Sequence, residues 1–393
     1  MAINSLKGLT GQLTIDLGAI VKNYQALNAI SANSLTGAVV KADAYGCGML
    51  PVASVLYQAG ARFFFVATPS EAIVLRAELK DAHIFVFNGL YPNSAKLYVE
   101  QRIMPILNSA QMLEEWLSFC IANNELFPAA IHFDTGMGRL GIKMNEVDWV
   151  KDKISQVGFL PQMIMSHLAC ADILGHEKNR MQLIFFKAIA KQFPNIPFSL
   201  ANSAGIMSGR ANHFQMVRPG IALYGGRAIN GKPNPMKPVV NLKVPVLQVF
   251  DAKAGETIGY GATYTIDRNS KIAILALGYA DGFLRSLSGT NSRHGGRILI
   301  NNKILPVIGR VSMDLIAVDV TQLHGLGPNP GDMVEVLGNI ISIDDQADLA
   351  GTIGYEILTS LKGRYNKSYI LPNERKNGGG VGIRSVSDQR RQE

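Results

Sequence analysis

The sequence predicts an α/β protein: an N-terminal (β/α)8, TIM-type barrel followed by a C-terminal, mainly β domain. Three observations predict it. Eight short apolar runs alternate with helical patterns over roughly 220 residues, the count and size of such a barrel. Polar residues capable of chemistry fall directly after several of those runs, where a barrel gathers them on one face. The stretch 231–238, GKPNPMKP, then ends the rhythm with three prolines and a glycine. Beyond it the chain turns to short β-rich segments separated by turn residues. A doubly wound open sheet is the rival architecture, and eight regular units favour the barrel.

The elements follow in order. Residues 11–16 read as a short strand, with Asp16 placed to cap a helix running to about residue 31. Barrel strands are expected at 37–41, 62–67, 83–87, 103–107, 129–133, 162–166, 197–201 and 220–224. Helical patterns separate most of them, as at 69–79, 109–123, 144–156 and 177–192. After the break, strands are expected near 239–250, 257–258, 271–277, 297–301, 304–308, 314–320 and 332–337, with helix only at 344–364. The expected domains are therefore a segment at 1–10 packed with the C-terminal domain, a barrel at 11–231, a β domain at 232–371 and a disordered tail at 372–393.

Bulk properties narrow the class. A chain of 393 residues is too long for one ordinary core and suggests two domains. Its 47% hydrophobic and 17% charged residues fit a core-rich globular chain rather than disorder. The formal net charge of +8 is dispersed, without the Lys/Arg runs of a nucleic-acid arm. Three cysteines without CxxC spacing argue for a reducing compartment and against zinc. No charged N-terminal region leads into a long apolar stretch, and no run approaches the ~20 apolar residues of a membrane span. The expectation is a cytoplasmic protein with no membrane, nucleic-acid or metal partner.

Lys41 ends the first apolar run in GAVVKADAYGCG. A lysine there either snorkels its amine to solvent or has a lowered pKa and serves as nucleophile or base. DTGMGRLG at 134–141 matches Gly-x-Gly-x-x-Gly between a strand and a helix. A dinucleotide site would also need an acid at the end of the next strand, which instead ends in Ser166 and His167. The alternative is a glycine-rich loop presenting Arg139 to a carboxylate or phenolic oxygen. His167 in SHLACAD reads more readily as a hydrogen-bonded structural histidine than as a catalyst. Asn202 and Ser203 in ANSAGI read as phosphate donors or as an ordinary N-cap. Arg218, in VRPGIALYG, needs a partner if it enters the core, either a carboxylate or a ligand. Tyr260 (IGYGATYT), Tyr279 (LGYADG), Met313 (RVSMD) and Tyr355 (TIGYEIL) lie in turns of the second domain; half-buried packing is the plain reading of each tyrosine.

Taken in order, VVKADAYGCG, DTGMGRLG, SHLACAD, NSAG, VRPGIALYG, GYGATYT, GYADG, GRVSMD and GYEIL resemble the alanine racemase family from about residue 10 to about 366. The resemblance implies an isomerase interconverting L- and D-alanine by a two-base mechanism with pyridoxal 5'-phosphate, supplying D-alanine for peptidoglycan. It implies that Lys41 carries the cofactor covalently and that Tyr260 is the second base. Tyr45, Ser203, Gly220, Ile221 and Tyr355 match the positions that hold the cofactor phosphate. Arg218 matches the arginine facing the pyridine nitrogen, with His167 beside it. Arg139 matches the residue on the substrate carboxylate and cofactor phenolic oxygen, Met313 a substrate contact, and Tyr279 one at the entrance. A head-to-tail homodimer with composite sites is implied as well. Two positions depart from the pattern: His132 replaces a lysine that steers the loop arginine, and Cys47 replaces a histidine. The alternatives are a racemase of broader range, such as serine, and a non-catalytic pyridoxal-phosphate homeostasis protein. The latter would have no use for Tyr260 and the second domain.

Overall fold

A computed structural model describes residues 10–361, 363–372 and 384–385. The expected N-terminal segment and tail therefore lie, but for residues 10, 372 and 384–385, outside the described residues. The described chain divides into two compact units, one of residues 21–223 and 227–236, the other of residues 10–20, 224–226 and the described residues from 237. Among the described residues no helix is long and apolar enough to cross a membrane.

The first unit is a parallel barrel. Its strands are β2 (Leu35–Thr36), β3 (Ala38–Val39), β4 (Phe63–Val66), β5 (His83–Val86), β6 (Met104–Leu107), β7 (Ala130–His132), β8 (Met163–Met165), β9 (Phe198–Ser199) and β10 (Met216–Val217). Each pairs in parallel with the next, and β2 and β3 are two halves of one strand around Gly37. One half pairs with β10 and the other with β4, so the sheet closes on itself as eight strands. Gly37 makes the seam possible: its N–H reaches the Val217 carbonyl at 2.9 Å, and a Cβ there would stand 2.6 Å from the Phe65 ring. The helices cover the barrel with stripes at helical spacing, such as Leu113, Trp116, Leu117 and Cys120 on α6 (Ala110–Ala122). Full burial of each large apolar side chain contributes about 1.5–3 kcal/mol.

One expected strand moves. Residues 220–224 do not form the eighth strand; Met216–Val217 do, and Ile221–Tyr224 wind into a 3-10 turn. Pro219 has no N–H to give a ladder, and the Ser203 hydroxyl takes the N–H groups of Gly220 and Ala222 at 2.9 and 3.2 Å. The apolar run past Pro219 is buried, but its amides are committed to a side chain.

The second unit is built on a mainly antiparallel sheet. Its long central strand β11 (Val240–Ala252) pairs with β14 (Ser270–Leu275) and β18 (Met333–Leu337), with register breaks that let it serve both. β1 (Gln12–Asp16) belongs here: it runs antiparallel to β11 and parallel to β19 (Asn366–Ile370), not in the barrel. Asp16 ends it as a cap, accepting the Ala19 N–H at 2.8 Å at the start of α1 (Leu17–Ile30). The sheet encloses a core of Ile258, Ile266, Ile272 and Ile308. The expected single helix at 344–364 is two, α10 (Ile343–Ala350) and α11 (Gly354–Ser360), divided at Gly351, which caps the first at φ +71°.

Candidate active site in the barrel

Because the barrel strands are parallel, the residues that follow β3, β7, β8, β9 and β10 share the carboxyl face. Lys41 leaves β3 into an unusual turn. Ala42, Asp43, Ala44 and Tyr45 all have left-handed φ of 52–56°, and Gly46 follows at 81°. Four consecutive non-glycine residues in that region cost roughly 1–2 kcal/mol each. Bonds offset the strain: the Ala42 N–H goes to Glu71 Oε1 at 2.6 Å, and the Met49 N–H to Asp43 Oδ1 at 2.7 Å. The Lys41 amine sits 5.8 Å from the Phe87 ring centroid. Burial lowers its pKa, Arg139 lowers it further, and Glu71 opposes them.

Arg139 rides on a loop anchored by Asp134. The buried Asp134 carboxylate accepts the N–H groups of Gly136 and Gly138 at 2.9 and 3.1 Å and pairs with the Lys143 ammonium at 2.8 Å. Gly141 lets the loop close on itself, since a Cβ there would lie 2.5 Å from the Asp134 nitrogen. The three glycines thus serve a self-closing loop rather than a dinucleotide cradle. Burial raises the Asp134 pKa, but Lys143 and the two glycine N–H groups more than offset it and bring it to about 2. A depressed carboxylate stabilises the fold above its unfolded value of 3.8 and loses that contribution as pH falls toward 2. Asp134→Asn should therefore be less stable than the parent at pH 7, and the gap should close between about pH 4 and 2. Urea unfolding at several pH values checks this; a gap independent of pH would refute it.

The floor of the site is cationic. Arg218 is buried at 2% exposure without a carboxylate among the described residues. It donates to Ser199 Oγ and to the Ser166 carbonyl, the latter at 2.6 Å. Burial brings its pKa down to about 9, so it stays charged at neutral pH. His167 is held well below its usual pKa by burial and by Arg218 and Arg139, and is neutral. His132 is likewise brought to about 3. Its Nδ1 is 2.7 Å from Asn108 Oδ1, while the Asn108 amide donates to the Phe87 carbonyl. Nδ1 must then carry the proton, which leaves the buried Nε2 as a bare acceptor without a partner. A fully buried guanidinium with neutral acceptors, a low-pKa lysine and a loop arginine form a site suited to an anionic ligand. Gly220 adds a close approach, since a Cβ there would stand 2.3 Å from the Tyr45 hydroxyl.

The second unit presents its own candidates. Tyr260 follows Gly259 and is 71% exposed. A cavity of about 420 Å³, lined by Gln248, Ile258, Tyr260, Arg310, Ser312 and Leu315, opens beside it. The Tyr279 and Ala280 N–H groups bond to the carbonyls of Ser312 and Met313, both at 3.0 Å, which sets Tyr279 and Met313 side by side. Gly278 is required there, because a Cβ would fall 2.2 Å from the Met313 carbonyl oxygen. Arg364 ties both turns, reaching Asp281 at 3.2 Å and Asp314 at 2.7 Å. Tyr355 lies in the first turn of α11. The sequence argument missed Glu71, Asn108, Lys143 and Arg364. Only Glu71 carried a signal, as the fourth residue of a Thr-x-x-Glu capping box.

A parallel barrel that carries a lysine of lowered pKa and a buried arginine on its carboxyl face defines the class of barrel enzymes whose site takes an anionic ligand. Two family models match the chain: alanine racemase, N-terminal domain, at residues 15–228, and alanine racemase, C-terminal domain, at residues 239–369. The chain is 42% identical over 368 residues to an alanine racemase of Rhizobium meliloti, covering 92% of this chain and 97% of the relative. Agrobacterium fabrum has a biosynthetic alanine racemase at 40% identity and a catabolic one at 43%, covering 92% and 93% of this chain and 94% and 93% of the relatives. Among solved structures, alanine racemase from Bartonella henselae with covalently bound pyridoxal phosphate matches at TM-score 0.87 and 39% identity, over 92% of this chain and 99% of that one. The chain belongs to the alanine racemase family.

Proposed function

We propose that the protein interconverts L- and D-alanine with pyridoxal 5'-phosphate attached at Lys41. The observation that carries this reading is Lys41 itself: a strand-end amine, lowered in pKa by burial and by Arg139. When bound, pyridoxal phosphate supplies the electron sink that acidifies an amino acid's Cα proton. The residues divide the remaining work. Ser203, Gly220, Ile221, Tyr45 and Tyr355 hold the phosphate. Arg218 would be the residue toward the ring nitrogen and, unlike a carboxylate, would not favour a proton there, which limits side reactions. His167, neutral, stands beside that arginine. Arg139 takes the substrate carboxylate, with Met313 against the substrate and Tyr279 at the entrance. Lys41 moves a proton on the D face and Tyr260 on the L face.

Tyr260, Met313, Tyr279 and Tyr355 are all among the exposed large side chains. That exposure supports a head-to-tail homodimer in which Tyr260 reaches the lysine of a second copy. Cys47, Cys120 and Cys170 are not in disulfides among the described residues, which supports a cytoplasmic setting. Supply of D-alanine for peptidoglycan is the role we favour, although biosynthetic and catabolic relatives stand at similar identity. The test is L-alanine in deuterated water, following D-alanine and Cα deuterium by NMR. Appearance of both is expected. Absence of exchange with the cofactor bound would favour a carrier, and faster exchange of serine a broader racemase.

A further inference from the structure

We infer that Glu71 is a positioning residue for Lys41: its carboxylate locks the left-handed turn at Ala42 and so fixes how the lysine leaves the barrel strand. Glu71 belongs to α4 (Pro69–Glu78), which follows a different strand. Its Oε2 accepts the N–H groups of Ala67 and Thr68 at 2.8 and 3.2 Å, while the Thr68 hydroxyl caps the helix by accepting the Glu71 N–H at 3.3 Å. That exchange completes a capping box with one carboxylate oxygen. The other oxygen leaves the helix and takes the Ala42 N–H at 2.6 Å, the shortest of the three contacts. Ala42 is the first left-handed residue, and its nitrogen is bonded to the carbonyl carbon of Lys41. Two residues before and two after, the amides are held by main chain: Val40 by the Phe65 carbonyl and Ala44 by the Val40 carbonyl. Ala42 is held by a side chain, and a charged acceptor makes that bond strong and directional.

A cap alone does not need the Ala42 contact, and a surface glutamate would not be shared between two strand ends. Glu71 also supplies the negative charge that acts on the Lys41 amine, against Arg139 and burial, with neutral His167 and the Phe87 ring as further neighbours. The inference rests on Lys41 being the reactive amine, and its test separates the two ideas.

The full chain, freed of cofactor, is labelled with acetic anhydride across a pH series, and modification of Lys41 is read by peptide mass spectrometry. Thermal midpoint, and kcat and KM for L-alanine with the cofactor restored, are measured alongside. Glu71→Gln should move the labelling midpoint of Lys41 down by about half a pH unit or more. It should also lower kcat about tenfold or more with KM within about twofold. Thr68→Ala, which weakens the same cap without touching Ala42, should lower the thermal midpoint and leave the labelling midpoint and kcat as in the parent. A Glu71→Gln midpoint that stays or rises, or a Thr68→Ala loss of kcat matching that of Glu71→Gln, overturns the inference. Should Glu71→Gln not fold, Glu71→Asp keeps the charge but falls a methylene short of Ala42. It should lose kcat, and parental kcat in that variant overturns the inference. The labelling needs no turnover, so a chain that failed to racemise alanine would still report on Glu71.

Discussion

Lys41→Ala is expected to lower alanine racemisation by about 10⁴-fold or more, because one side chain supplies both the cofactor attachment and a base. The expectation follows from its placement. The amine is among the polar groups carried by the barrel's carboxyl face, and its pKa is lowered by burial and by Arg139. An amine poised in this way gives up its proton more readily than an ordinary surface lysine. The variant should still fold, since Lys41 makes no ion pair among the described residues and its stem is only partly buried. Thermal melting checks that point. Lys41→Arg should be as inactive as the alanine variant, because a guanidinium keeps the charge but does not deprotonate. Added methylamine should restore a small part of the proton transfer in Lys41→Ala. Racemisation within about tenfold of the parent in Lys41→Ala would remove this residue from the chemistry.

Tyr260→Phe carries the second large effect and removes a single oxygen. A loss of about 10²- to 10⁴-fold is expected if the phenol is a general base or acid. The loss should be lopsided. Deuterium from solvent should still enter D-alanine, where Lys41 abstracts the proton, while entry into L-alanine should nearly stop. Equal losses from both enantiomers would contradict a two-face division. Tyr260 is 71% exposed in its unit, which invites a second copy. Mixing the inactive Lys41→Ala and Tyr260→Phe chains after partial unfolding tests that geometry directly. In a head-to-tail dimer each mixed pair holds one intact site, so about a quarter of parental activity should return. Mixing would restore nothing if each chain completed its own site.

Much of this was legible in the sequence for a simple reason. Parallel strands buried on both faces read as short apolar runs, so the alternation at 62–67, 83–87 and 103–107 maps onto β4, β5 and β6. The helix N-terminus at Asp16 was legible because capping is local chemistry. The strand at 220–224 was misplaced because hydrophobicity reports burial and not what the amides bond to. The Ser203 hydroxyl that claims the Gly220 and Ala222 N–H groups lies 17 and 19 residues away. The short strand at Gln12–Asp16 fell inside the expected barrel domain by its place in the chain, and its partners, more than 200 residues on, placed it in the other sheet.

The site divides in the same way. By itself the sequence determined which residues can do chemistry and their order along the chain: Lys41, Arg139, His167, Ser203, Arg218 and Tyr260 all sit at turns flanked by apolar runs or glycines. Only the tertiary structure decided their state. Arg218 became a buried cation with neutral acceptors, His132 and His167 became neutral, and Asp134 became an anchor of the Arg139 loop. Glu71 changed most, from a helix cap to a carboxylate bonded across to the turn after Lys41. The physical reason is one of range. Turn preference, capping and burial are written within a few residues. Desolvation and hydrogen bonding at a strand end depend on groups that closure of the barrel alone brings together.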